Sequence, residues 1–212
     1  MKAIDWQKAL QEQRDKYGKV VFTVTELSNL SSLNAESLRV SLSRLAARGV
    51  IRQVTKGRYG LPGAVAVEDL VPSIDPAAYV TGMYALHRHG LITQAPREIS
   101  CFTNRRHNRS RVRATPLGRI VFVCIAGSVY SYPRQSVVAP PEQAICDFVH
   151  LCRRRGVSAS DIVSFRNLHR LDSASLQAHL ERYPDTVVHE MSKLIQRRRR
   201  ESKSRLLRTR RI

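Results

Sequence analysis

The 212-residue sequence predicts an α+β chain, with an N-terminal winged helix-turn-helix domain followed by a mixed α/β domain that ends in helices. Three observations carry this. Two short runs have apolar residues at helical spacing on either side of a polar turn. A hairpin pattern follows the second run. Beyond residue 76, strand-like runs rich in β-branched residues give way to helical ones.

A polar, helix-favouring run with Ile4, Ala9, Leu10 and Tyr17 predicts a leading helix. Val24, Leu27 and Leu30 then fall at i, i+3 and i+6 on a short helix. After Ser31, Ser32 and Asn34, Leu38, Leu42 and Leu45 fall at i, i+4 and i+7 on a second one. Asn34 is placed to cap that second helix, and Gly49 to end it in a left-handed turn. Val50 to Val54 reads as a strand, Thr55 to Arg58 as a tight turn, and Tyr59 to Leu61 as the returning strand closed by Pro62, so this hairpin is the wing.

The predicted divisions are a DNA-binding domain over 1–63, a linker over 64–76, a mixed α/β domain over 77–196 and a basic tail over 197–212. The linker reading rests on Pro62, Gly63, Pro72 and Pro76 around Glu68 and Asp69. In the second domain, Ala77 to His89 reads as a helix, with His87 on its packed face. Ile99 to Thr103 and Arg119 to Ile125 read as strands, and Asn104 to Leu117 as a basic loop or irregular strand. Val129 to Tyr132 and Ser136 to Val138 are candidate edge strands. Helices are expected from Pro141, over Ser160 to Leu168, over Ser173 to Tyr183, and through Val187, Val188, Met191, Leu194 and Ile195.

Composition points to a polyanion as partner. Lys and Arg number 36 against 17 Asp and Glu, for a formal charge of +19 and a pI near 10.8. The excess gathers in two places: Arg105, Arg106, Arg109, Arg111 and Arg113, and the tail beginning Arg197, Arg198, Arg199, Arg200. No long apolar run and no apolar leader are evident, which predicts a cytoplasmic protein without membrane contact.

On the second helix, Leu38, Leu42 and Leu45 lie within roughly 60° of one another, and Arg39, Val40, Ser43, Arg44 and Ala47 point away. Arginines can bind guanine or phosphate, small residues allow close approach, and Val40 can meet a thymine methyl. The expected DNA-binding set is therefore Asn34, Ser37, Arg39, Val40, Ser43 and Arg44 in the major groove, with Lys56 and Arg58 of the wing on phosphate or in the minor groove.

Other chemistry has weaker signals. His87 with His89, and His150 with Cys152, lack a second metal-ligand pair at zinc spacing, so no metal is expected. Cys101, Cys124, Cys146 and Cys152 form no CxxC and read as reduced, buried thiols. Glu142 and Asp147 suit capping and solvation at the start of a helix better than a nuclease centre. No phosphate-binding loop or nucleophile motif is present, so neither an enzyme nor a cofactor is expected.

The run LRVSLSRLAARGVIRQVTKGRYGLP resembles the DNA-binding domain of AbiEi-type antitoxins of bacterial abortive-infection, or type IV toxin-antitoxin, systems. YALHRHGLITQAPREISCFTNRR resembles that family's helix leading into a strand, and SVVAPPEQAICDFVHL its P-E-x-A-x-x-D segment. The likeness spans roughly residues 20 to 155, with its parts in the same order. It implies a transcriptional repressor that binds repeats in double-stranded promoter DNA of its own operon. It also implies an antitoxin that counteracts a nucleotidyltransferase-like toxin without a stable complex. The arginine tail lies outside the likeness. A protein for structured RNA or ribosomes, using the Arg-rich segments, is the alternative reading, and a nuclease the third.

Overall fold

Trp6 and Leu10, one turn apart on α1 (Ala3–Tyr17), are buried, whereas Ile4 and Tyr17 are exposed. The first core is therefore built on Leu10, which the leading run includes, and on Trp6, which it does not. The computed structural model describes residues 2–108 and 110–196 and is α+β. After α1 come β1 (Val21–Thr23), α2 (Val24–Ser31), α3 (Ala35–Ala47), β2 (Arg52–Thr55) and β3 (Arg58–Gly60). Thr23 starts α2 with a reciprocal capping box: its Oγ1 accepts from the Glu26 N–H at 3.2 Å, and Glu26 accepts from the Thr23 N–H at 2.8 Å. Val24 is the first residue of α2 and is exposed, so the helix packs through Leu27 instead. Leu27, Leu38, Leu42 and Leu45 join Trp6, Leu10, Phe22 and Ile51 in one cluster.

The strands form an antiparallel sheet in the order β1-β3-β2, so β1 is a third strand beyond the expected hairpin. Strand alternation gives this sheet two buried faces. Phe22 and Tyr59 pack on the helical cluster, while Val21 and Val54 belong to the second, larger core. Gly60 lies on that second side, where an added Cβ would stand 2.4 Å from Val65 Cγ2 and 3.1 Å from Val54 Cγ1.

The segment expected as a linker is instead largely a helix, α4 (Val67–Ile74), with Val67, Leu70 and Val71 buried in the second core. Pro72 reads as a breaker in sequence but sits inside this helix. An ion pair between Glu68 and Arg88 holds α4 to the next helix along the chain, α5 (Gly82–Arg88).

Four strands form the second sheet: β4 (Tyr79–Thr81), β5 (Glu98–Thr103), β6 (Val112–Thr115) and β7 (Gly118–Cys124), in the order β4-β5-β7-β6. β5 and β7 are parallel, and the other pairs are antiparallel. The single helix expected over Ala77 to His89 is thus split into β4 and α5, because Gly82 adopts φ +64 between them. His87 is exposed rather than packed. Of the two candidate edge strands only an isolated Val80–Val138 bridge forms.

The helices α6 (Pro141–Arg154), α7 (Ala159–Ile162) and α8 (Ser173–Leu180) follow, and residues 185–196 are helical. The helix expected through Leu168 stops at Ile162, because the chain beyond pairs with an earlier loop: Phe165 bridges Ile92, and the Arg166 N–H donates to the Leu91 carbonyl at 2.7 Å.

The second sheet also has two covered faces. Thr103 Oγ1 donates to Asp75 Oδ2 at 2.6 Å on the α4 side. Tyr79, Thr81 and Phe102 point to the α6 side, where Asp147 is wholly buried. Its carboxylate accepts from Thr81 Oγ1 and Tyr183 OH, both at 2.6 Å, and more distantly from Tyr79 OH. The expectation that Asp147 would be solvated is therefore wrong. Its partners come from β4 and from the loop after α8, both far away in sequence, and α6 is buried almost all round. Glu142 is buried too, with its Oε1 accepting from the Asp172 N–H at 2.9 Å.

Burial pushes the Asp147 carboxyl up to about 7, with the hydroxyls of Thr81, Tyr183 and Tyr79 opposing it. Between its unfolded value of 3.8 and about 7, the folded protein holds a proton that the unfolded chain has lost. That contribution to stability is complete below the unfolded value and fades as pH rises through about 7. Compared with Asp147→Asn, wild-type stability should fall between pH 5 and about pH 8, by on the order of 1 kcal/mol per pH unit at the steepest. Urea unfolding of both proteins across that range measures it, and a difference curve independent of pH would contradict it.

Candidate nucleic-acid interface

Leu38, Leu42 and Leu45 fix the roll of α3 by burying one stripe, which leaves Arg39, Val40, Ser43, Arg44 and Ala47 exposed on the other. The helix starts where the sequence places it: Asn34 Oδ1 accepts from the Ser37 N–H at 2.9 Å. Asn34 therefore works as an N-cap, its acceptor already engaged, while Ser37 is exposed in the first turn. Ser32, at φ +54, turns the chain between α2 and α3, and Ser28 Oγ donates to the Leu33 carbonyl to close that turn.

The hairpin tip is pinned from two sides. The Val24 N–H, at the start of α2, donates to the Gly57 carbonyl at 3.2 Å. Gly57 has φ +71, a conformation that favours glycine in this tight turn. Lys56 is exposed at the tip.

Arg58 differs from its expected place on the outer surface of the wing. As the first residue of β3 it shares a strand side with Gly60, the side facing the second core. Its Nε donates to the Ser73 carbonyl at 2.7 Å, and the side chain is half-buried. Burial, then the nearby Arg113, both work against its charge, with Glu26 partly compensating. Arg58 joins the hairpin to the end of α4.

The second basic segment divides in the same way. Arg105 lies 3.9 Å from Asp75, which also accepts from His107 Nε2 at 3.0 Å, and His107 stacks on Phe122. Burial would raise the Asp75 pKa, but hydrogen bonds from Thr103, the Ala77 N–H and His107 bring it below the usual carboxylate range. Arg113 folds back onto the Ser110 carbonyl. Arg106 and Arg111 are exposed. Arg109 and Arg197, Arg198, Arg199 and Arg200 of the tail lie outside the described residues.

Elsewhere, His89 Nε2 is 2.8 Å from the Ala139 carbonyl, and His150 sits between Phe102 and Tyr183. Cys101, Cys146 and Cys152 are buried as expected, but Cys124, at the end of β7, is exposed. Among the described residues no helix is long and apolar enough to cross a membrane. No protein-family model and no curated protein matches the chain.

The two wing cations should therefore separate by variant. Lys56→Ala should leave the melting temperature unchanged and lower the salt slope of duplex binding by about 0.9, the value for one phosphate contact. Arg58→Ala should lower the melting temperature through loss of its tie to Ser73. Thermal melts with binding isotherms at two salt concentrations measure both, and an Arg58→Ala protein as stable as wild type would contradict the structural role.

Proposed function

We propose that residues 3–62 act as a winged helix-turn-helix that binds double-stranded DNA, with α3 in the major groove and Lys56 on phosphate. One observation carries this reading. A leucine stripe holds α3 at a fixed roll, so that Arg39, Val40, Ser43 and Arg44 project outward together from a chain with formal charge +19. A rigid helix with a small and basic outer face suits base-edge contact, because the backbone can come close while guanidinium groups reach N7 and O6 of guanine.

On this reading the protein is a sequence-specific regulator. The AbiEi-type resemblance supplies a concrete role: repression of its own operon through promoter repeats, and antitoxin activity against a nucleotidyltransferase-like toxin without a stable complex. Co-expression of the chain with a toxin encoded beside it tests that role, and unrelieved growth arrest would oppose it.

The DNA reading has a sharper test. Against duplexes selected by the protein from a random pool, Arg39→Ala or Arg44→Ala should cost on the order of 1 to 3 kcal/mol, and much less on random duplex. Equal losses on both would make these residues phosphate contacts. Tighter binding to structured RNA than to any selected duplex would favour the RNA alternative.

A further inference from the structure

One face of the second sheet carries charge that the DNA reading leaves unused. Glu98, Ser100 and Phe102 of β5 pair with Arg119, Val121 and Val123 of β7, so all six share a strand side. That side faces α6: an added Cβ on Gly82 would meet both Ser100 and Leu151, and Phe102 meets His150. At this face a cleft of about 630 Å³ opens between β7, the loop before β6 and the last turn of α6.

Five arginines from those three places line the cleft: Arg106, Arg111, Arg119, Arg154 and Arg155. Glu98 is the one acid among the lining residues, and it lies 3.4 Å from Arg119. Arg154 and Arg155 are exposed at the end of α6. The helix dipole favours cations at that position, which accounts for one or two arginines there. It does not account for Arg106, Arg111 and Arg119 converging on the same hollow, where like charges repel unless an anion joins them.

We infer that this cleft is a second nucleic-acid site, one that holds the phosphodiester backbone. Recognition stops at the backbone because no aromatic ring is presented to the cleft: Phe122 is buried on the opposite strand side, where His107 stacks on it and bonds Asp75. Neither offers a free face to a base. Arginine forks suit phosphate oxygens. The first sheet, α4 and the second sheet separate this face from the layer that contains α3, so the two sites hold different segments of nucleic acid.

The test uses the full chain, with a random-sequence 20-mer as duplex DNA and as single-stranded RNA, and compares wild type with Arg154→Glu/Arg155→Glu and Arg39→Glu/Arg44→Glu. The cleft variant should lose affinity for the random 20-mer and lower the salt slope by about 1.8 on duplex or about 1.4 on single strand, with melting unchanged. The larger loss between the two forms identifies which the cleft prefers. An immobilised selected duplex should capture a labelled random 20-mer through wild type but not through the cleft variant. Unchanged slope and capture in the cleft variant would overturn the inference, as would binding of a glutamate-rich peptide in place of either nucleic acid. If α3 does not bind DNA, the Arg39→Glu/Arg44→Glu protein keeps full affinity while the cleft variant still loses it, so the two readings fail separately.

Discussion

The three-stranded sheet β1-β3-β2 is packed on both faces, and the rest of the fold is arranged by that constraint. A free wing would show one face to solvent. Here Phe22 and Tyr59 close the helical cluster on one side, and Val21, Val54 and Gly60 close the second core on the other. The strands are only three or four residues long, so period-two alternation leaves little room for adjustment. A side chain larger than hydrogen at Gly60 would strike Val65 and Val54, so the close approach of the segment just before α4 to the sheet depends on that glycine. The exposed stripe of α3 is thus held by a sheet whose other face belongs to a different core.

The second core is held partly by apolar packing and partly by a polar knot. Asp147 on α6 gathers hydroxyls from β4 and from Tyr183, and Asp75 gathers Thr103, His107 and the Ala77 N–H on the opposite face of the same sheet. At Asp75 the donors outweigh the desolvation that burial imposes on a carboxylate, whereas at Asp147 burial outweighs the three hydroxyls and holds the carboxyl protonated up to about pH 7. Hydrogen bonds to a charged group contribute about 1.5 to 3 kcal/mol, which applies to Asp75, and at both sites the directional bonds tie the sheet to α4 on one face and to α6 on the other. Arg58 and the Arg88–Glu68 pair extend the same logic outward, using cations to tie the hairpin and α5 to α4.

What could be read from the sequence was local. The leucine stripe of α3, its Asn34 cap, the hairpin and the start of α6 all follow from spacing within a dozen residues, and the structure has each of them. Features that depend on distant partners were hidden. Pro72 and the acids around it read as a linker, because nothing nearby reveals that Val67, Leu70 and Val71 meet a sheet. Gly82 lies inside the run read as one helix, yet its positive φ separates β4 from α5. Asp147 read as solvated because its donors lie 36 to 68 positions away. The candidate site divides along the same line: exposure of Arg39, Val40, Ser43 and Arg44 was legible from the wheel, whereas the inward turn of Arg58 follows from strand parity. Arg154 and Arg155 were not singled out, although the run of three arginines at 153–155 is a visible signal.

The chain carries its own probes of the shared sheet. Trp6 is the one tryptophan and lies in the helical cluster, and Cys101 and Cys146 are wholly buried in the second core. Urea unfolding followed by Trp6 fluorescence and by thiol labelling of these two cysteines therefore reports the two cores separately. If the sheet is a wall common to both, the two transitions coincide in midpoint and slope, as a single cooperative unit requires. A Trp6 transition at lower urea, completed while both thiols stay protected, would show that the N-terminal half folds and melts alone and would contradict the account.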